Sequence, residues 1–360
     1  MAVSTTSPNH PPETAELILD LHLLKTALLS PLYVHGVART LSSLTGSHAS
    51  IFMLHRFFCR ERGVEGHDPS VIRAILSTLR REQFSLVSLR DIFRRLKEGR
   101  PLGRAVAFTI DDGYFDHAQV AAPIFEEFGC PLTMFLVSGF MDGKLWLWWD
   151  QVQYIFENTP HRVLEITVGE DTFRYELESL AARDRAAHDL SSWYQRTADG
   201  DVATFVARLA EMADVEVPGR APERFAPLSW DEARALERRG IDFGIHTVSH
   251  PRLAGLTKEM SAWEIEACWK RLREELSDPL PVLCYPFGKR TDFGTREVSF
   301  VSQMHLAGAV TASSGNLSEH YDSEELCALP RYPTQNDILN VLQCSTGLET
   351  IKSWIRRHNG

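Results

Sequence analysis

The chain has 360 residues, 44% of them hydrophobic, with 48 acidic against 38 basic side chains and a formal net charge of −10. That is enough chain for one large domain with an insertion, or for two domains, and the acidic balance excludes the basic footprint of a nucleic-acid protein and any strong pull towards anionic membranes. No apolar run reaches the roughly 18 residues of a membrane span.

The start, "MAVSTTSPNHPPETAEL", is polar and proline-bearing and lacks the basic-then-apolar pattern of an export signal. The six cysteines are scattered without a CxxC pair, which reads as buried free thiols in a reducing compartment, and the expected location is cytoplasmic.

In chain order, residues 1–13 read as a disordered arm. Apolar residues at 17, 18, 21, 24 and 28 then predict a helix from Glu13 to about Ser30, a docking helix on the main domain or a contact between copies in a homo-oligomer. Together they form an extension over 1–45, and the remainder, 46–360, reads as the main domain. "HASIFMLHRF" (48–57) predicts a short buried strand ending at a histidine. A helix over Ser70–Arg81, the short run "FSLVSL" and a helix over Arg90–Glu98 follow. "RAVAFTIDDG" is a strand apolar on both faces, as in a parallel sheet. A helix over His117–Phe128, stopped by Gly129, and the strand "CPLTMFLVSG" (130–139) continue an α/β rhythm.

Between about 145 and 227 the pattern changes to a hairpin with Gly-Glu-Asp at its turn and a long helical region over roughly Ser179–Asp214, an expected insertion. The scaffold resumes with a helix capped by Ser229 and Glu232 and closed at Gly240, then the strand "IDFGIH". The amphipathic helix "SAWEIEACWKRLREELS", the strand "PVLCYPFG", the helix "VSFVSQMHLAG" and the strand "AGAVTAS" complete it.

Polar residues gather at strand ends, where parallel sheets collect their ligands. Asp111 and Asp112 sit side by side after an apolar run, a costly pairing unless something offsets their charge. An Asp-Gly turn explains them blandly. "HTVSH" places His246 and His250 four apart, a spacing that on a helix or helical turn puts both imidazoles on one face. Two imidazoles and one carboxylate with open positions suit catalytic Zn2+, with Co2+ or Ni2+ also compatible, and the second Asp then serves as general base.

"FTIDDGYFDH", "GIHTVSHPRL" and "CYPFGK", in this order, resemble the polysaccharide deacetylase (NodB-homology) family of metal-dependent de-N-acetylases. The resemblance runs from about Ser50 to Pro333, taking in "FMLHRF", "LWLWWD", "PLSWDEARAL", "AGAVTASSGN" and "LPRYP". It implies a distorted (β/α) barrel of about seven strands, Asp111 as general base, and Asp112, His246 and His250 as metal ligands. It also implies that Tyr285 offers its backbone N–H to the oxyanion. The implied reaction is hydrolysis of the acetamide of an N-acetylated sugar, in a polysaccharide or a glycan precursor.

Two departures stand out. "CYPFG" replaces the arginine-bearing third motif of many relatives, and their late Leu-x-His, whose histidine protonates the leaving amine, has no counterpart beyond His358. Candidates for that acid are His55, favoured because it shares the rim with Asp111, then His305 and His320. A structural histidine is an equal reading of His55. Arg331 reads as a partner that tunes Asp111 or as a surface arginine. Trp146, Trp148 and Trp149 with Phe140 read as core more readily than as a sugar platform, Asp116 as a helix cap or a residue orienting the site, and Asp150 is ambiguous. Rival functions are a hydrolase of another C–N amide, such as a formamide or cyclic imide, and an inactive carbohydrate-binding protein.

Overall fold

The computed structural model describes residues 30–197 and 202–349. The arm, the helix expected over Glu13 to about Ser30 and His358 lie outside the described residues, apart from Ser30 itself. Among the described residues ten strands occur in chain order: β1 (His48–Leu54), β2 (Ser85–Leu86), β3 (Arg104–Ile110), β4 (Leu132–Leu136), β5 (Val163–Val168), β6 (Asp171–Glu176), β7 (Asp242–Ile245), β8 (Val282–Cys284), β9 (Gly308–Val310) and β10 (Tyr332–Pro333). All but β5 and β6 form one parallel sheet in the order β10-β1-β3-β4-β7-β8-β9, with β2 pairing β3 at its start.

The last segment closes this sheet on itself. Leu329 exchanges hydrogen bonds with β9, donating to Ala309 and accepting from Thr311, both at 2.9 Å. Three residues on, Tyr332 and Pro333 pair with Phe52 and Met53 of β1, and Thr334 donates to the Met53 carbonyl at 2.9 Å. One stretch of chain thus bonds both edges, giving a distorted barrel of seven strands in its main path.

Strand alternation sorts the core into two layers. Along β3, Val106, Phe108 and Ile110 join a cluster shared with the surrounding helices. Ala105 and Ala107 point the other way and join Ala49, Ile51, Phe135, Val282 and Val310, packed with the helix Leu89–Lys97. Thr109 and Asp111 continue that second face to the strand's end. The small side chains there leave room for a bulky one, Arg331, which is 1% exposed.

Several local expectations change. His117–Phe128 is no uniform helix: a π-helical turn over His117–Ala121 precedes an α-helix over Ala122–Glu127. The helical region expected over roughly Ser179–Asp214 is present, as two helices, Leu180–Thr197 and Val202–Met212. Asp116 caps nothing with its side chain. It accepts from Arg56 Nε at 2.9 Å and from the Phe57 N–H at 2.6 Å, tying the chain after β1 to that after β3. The Ser229–Glu232 capping box is present.

Between β4 and β7, the helix Trp148–Asn158, the β5–β6 hairpin and the helices Leu180–Thr197 and Val202–Met212 pack around their own apolar cluster, which includes Val152, Phe156, Leu190 and Leu209. Among the described residues, no helix is long and apolar enough to cross a membrane. None of the six cysteines is joined in a disulfide, and five of them are buried.

Candidate active site

Asp111 and Asp112 follow β3 directly, and period two sends them to different partners. Asp111 is 3% exposed and bidentate with Arg331, whose Nη1 and Nη2 donate to Oδ1 and Oδ2 at 2.7 Å each. Arg331 is fixed in turn: Nη1 donates to Thr109 Oγ1 at 2.9 Å, Nε to the Thr311 carbonyl at 3.0 Å, and Nη2 lies 3.0 Å from Cys284 Sγ. Burial alone would raise the Asp111 pKa, but the paired guanidinium, with His246 and His55 nearby, holds it well below the usual carboxylate range. The reading of Arg331 as a surface residue is therefore replaced by a buried one.

Asp112 takes a left-handed backbone, φ 83°, and turns its carboxylate to the histidines. Its Oδ1 lies 3.5 Å from His246 Nε2 and 3.7 Å from His250 Nε2. These three offer one ligand atom each within 4.8 Å of one another, all buried. The spacing of four does not work through a helix here. Residues 246–250 form a loop in which Thr247 (φ 67°) and His250 (φ 57°) are left-handed.

Glu264, buried on the helix Lys258–Glu275, holds this loop. It accepts from the Val248 and Ser249 N–H groups at 2.8 and 2.9 Å and from Ser249 Oγ at 2.5 Å. Among the described residues, four of the seven non-glycine residues with positive φ are Asp112, Thr247, His250 and Phe287, all at this rim, and such strained backbone clusters at functional sites.

The electrostatics differ between the imidazoles. Burial pushes His250 down to about 3, with His246 beside it adding to the effect, so it presents a neutral ring. For His246 burial acts the same way, yet Cys284, Asp112 and Asp111 outweigh it and raise the ring well above its ordinary value. A divalent cation among the three would take that proton's place.

His55 follows β1, level with Asp111, whose N–H donates to Leu54 at 3.1 Å. Its side chain is 51% exposed and Nε2 is 4.0 Å from Asp111 Oδ2. The buried His117 Nε2 meets the His55 carbonyl at 2.7 Å. His305 and His320 are exposed and line no part of this cleft. The Tyr285 expectation fails on hydrogen bonding: its N–H donates to the Val310 carbonyl at 3.2 Å, continuing the β8–β9 ladder, and is already engaged.

These residues floor a cleft of about 640 Å³. Trp148, Trp149, Asp150, Gln153, His188, Ser191, Ser192 and Gln195, from the segment between β4 and β7, form one wall. Trp146 and Phe140 are buried away from it, whereas Trp149 is half-buried at the cleft. Sequence reasoning missed Glu264, Tyr114 and Phe287. Only a buried acid in an otherwise amphipathic helix hinted at the first.

No curated protein matches the chain. Among solved structures, the Streptococcus pyogenes deacetylase PplD, in complex with acetate, is similar with a TM-score of 0.54 at 15% identity, covering 83% of this chain and 99% of that one. IcaB from Ammonifex degensii gives 0.53 at 13%, covering 84% and 98%, and a putative polysaccharide deacetylase from Bacillus anthracis gives 0.51 at 12%, covering 84% and 69%. At such identities the likeness speaks for the fold. Membership rests on the sequence profile of the polysaccharide deacetylases, which matches residues 98–299. With more than half of its 360 residues inside that profile, the chain belongs to the polysaccharide deacetylase family.

Proposed function

We propose that this chain is a metal-dependent de-N-acetylase that hydrolyses the acetamide of an N-acetylated sugar in a polysaccharide or a glycan precursor. One observation carries the reading: two adjacent carboxylates with separate employment, Asp112 facing two imidazole Nε2 atoms and Asp111 locked by Arg331. Two nitrogens and one carboxylate oxygen suit Zn2+, or Co2+ or Ni2+. The buried His250 Nδ1, without a hydrogen-bond partner among the described residues, also fits a ring whose role lies at its other nitrogen.

Bound there, the cation supplies Lewis acidity and makes water a stronger acid at neutral pH. The chain's own groups do the rest. Asp111, kept ionised and in one orientation by the fork of Arg331, accepts the proton of the attacking water. His55, at the open side of Asp111, donates a proton to the departing amine. The wall between β4 and β7 excludes bulk water and presents hydroxyl and amide groups to the sugar. Six cysteines, none of them in a disulfide, support action in the cytoplasm.

The test is acetate release from N-acetylhexosamine substrates, from nucleotide-linked monosaccharides to oligomers, with Zn2+ or Co2+ added. Wild type is expected to release acetate. Asp111→Asn is expected to lose about 10²–10⁴-fold in kcat while still binding the cation, and His246→Ala to lose both. Acetate-free binding of these glycans by metal-loaded wild type would overturn the reading.

A further inference from the structure

The two imidazoles facing Asp112 are held by different means. His246 donates Nδ1–H to the Cys284 carbonyl at 2.8 Å, which fixes the ring's orientation and points Nε2 towards Asp112. Histidine ligands are ordinarily oriented this way. His250 lacks the device: its Nδ1 is buried with no hydrogen-bond partner among the described residues, and its backbone sits at φ 57° in a loop.

Besides Asp112 and the His246 ring, whose centre is 4.7 Å away at 81° between planes, two aromatic side chains touch the His250 ring. Trp149 meets it at 4.9 Å between centroids and 77° between planes, and Phe287 at 4.8 Å and 81°. Both are edge-to-face contacts, the arrangement that ring quadrupoles favour. Phe287 comes from the loop after β8, and Trp149 from the first turn of the helix Trp148–Asn158. Trp149 is itself tethered. Its Nε1–H donates to the Tyr114 hydroxyl at 3.0 Å, and that hydroxyl donates to Asp150 Oδ2 at 2.7 Å. Arg56 lies 3.9 Å from the centre of the Tyr114 ring and completes the support.

We propose that Trp149, tethered through Tyr114 to Asp150, is a positioning residue: with Phe287 it clamps the His250 imidazole so that Nε2 stays on Asp112. Ring packing does for His250 what a hydrogen bond does for His246. The inserted segment is thereby a structural part of the centre as well as a wall of the cleft. The inference rests on reading Asp112, His246 and His250 as a metal centre.

Metal-free protein is titrated with Zn2+ against a chromophoric chelator, the visible spectrum of the Co2+-loaded protein is recorded, and thermal midpoints of the metal-free forms serve as folding controls. Trp149→Ala is expected to weaken Zn2+ binding roughly 10–100-fold, the range for loss of a ligand's orienting partner, and to alter the Co2+ bands. Trp149→Phe, which keeps an aromatic edge, is expected to recover part of the loss. Tyr114→Phe, which cuts both tether bonds, is expected to fall between wild type and Trp149→Ala. Affinities within twofold of wild type and an unchanged Co2+ spectrum in all folded variants overturn the clamp. If Trp149→Ala does not fold, Trp149→Phe and Tyr114→Phe decide by the same criterion. Wild type that binds neither cation would instead overturn the metal centre itself, an outcome distinct from failure of the clamp.

Discussion

The barrel rim and the inserted wall meet across one cleft but are made of different materials. Strand ends and the loops after them supply charges in fixed partnerships: Asp111 with Arg331, and Asp112 with His246 and His250. The wall supplies amides, hydroxyls and aromatic rings from Gln153, Ser191, Ser192, Gln195 and Trp149. The groups proposed to act in hydrolysis sit where the backbone is pinned by the sheet, and the groups proposed to meet the sugar sit on helices that the sheet does not constrain. The wall's carboxyl fits the contrast. Asp150 is pushed up to about 7 by burial, with Arg56 only partly offsetting it, whereas Asp111 is driven the other way by a paired arginine.

The sharpest break of this contrast is on the rim. Arg331→Met leaves Asp111 buried beside the space of a lost guanidinium, and removing one partner of a buried pair costs about 3–5 kcal/mol. Denaturant unfolding at neutral pH is the measurement, with Asp111→Asn/Arg331→Met as control, which should recover a good part of the loss because no charge is stranded. The sign with pH is fixed by the direction of the shift. A carboxyl depressed in the folded state stabilises above its unfolded pKa and loses that contribution as pH falls through the folded value. The deficit of Arg331→Met should therefore shrink on acidification. A single variant as stable as wild type at pH 7 would mean that the pair contributes no net stability.

The corresponding change on the wall is smaller and opposite in sign. Asp150 has a folded pKa of about 7 against an ordinary carboxyl near 4, so folding takes up a proton between those values. The stability it confers is full below about 4 and is lost as pH rises through about 7. Asp150→Asn removes this penalty while keeping an oxygen for the Tyr114 hydroxyl. At pH 8 it should be more stable than wild type by up to about 4 kcal/mol, the attraction to Arg56 being already contained in the folded pKa, and the gap should close by pH 4. Equal stability at both pH values would show that Asp150 is as well compensated as Asp111, and the contrast would fall.

How much of this was legible follows the range of the contacts. Strands β1, β3, β4 and β7, the Ser229 cap and the strand-end placement of Asp111, Asp112 and His246 are written in local apolar runs and turn residues, and they read correctly. The pairing of Arg331 with Asp111 was readable only as one of two options, because it depends on a two-residue strand, β10, closing the barrel across 220 residues of sequence. Tyr285 misled because a motif gives the order of residues but not which N–H the β8–β9 ladder engages. The left-handed loop at His246–His250 and the contact of Trp149 with His250 had no periodic signal, since a loop held by Glu264 and a ring brought in by an insertion are products of tertiary packing.

The smallest effect concerns recognition, and here the contrast becomes a separation of kinetic constants. Ser191 and Ser192 lie on the helix Leu180–Thr197 and line the cleft, as does His188 one turn earlier. If the wall only recognises sugar, it contributes equally to the bound ground state and the transition state, and such uniform binding appears in KM and not in kcat. A net hydrogen bond is worth about 0.5–1.5 kcal/mol, so Ser191→Ala and Ser192→Ala should each raise KM roughly two- to tenfold with kcat and Zn2+ affinity unchanged. The effect should be greater for oligomers that reach along the wall than for a monosaccharide. A fall in kcat at unchanged KM would show instead that the wall acts on the transition state, and the line between a charged rim that reacts and a neutral wall that recognises would have to be redrawn through the helix itself.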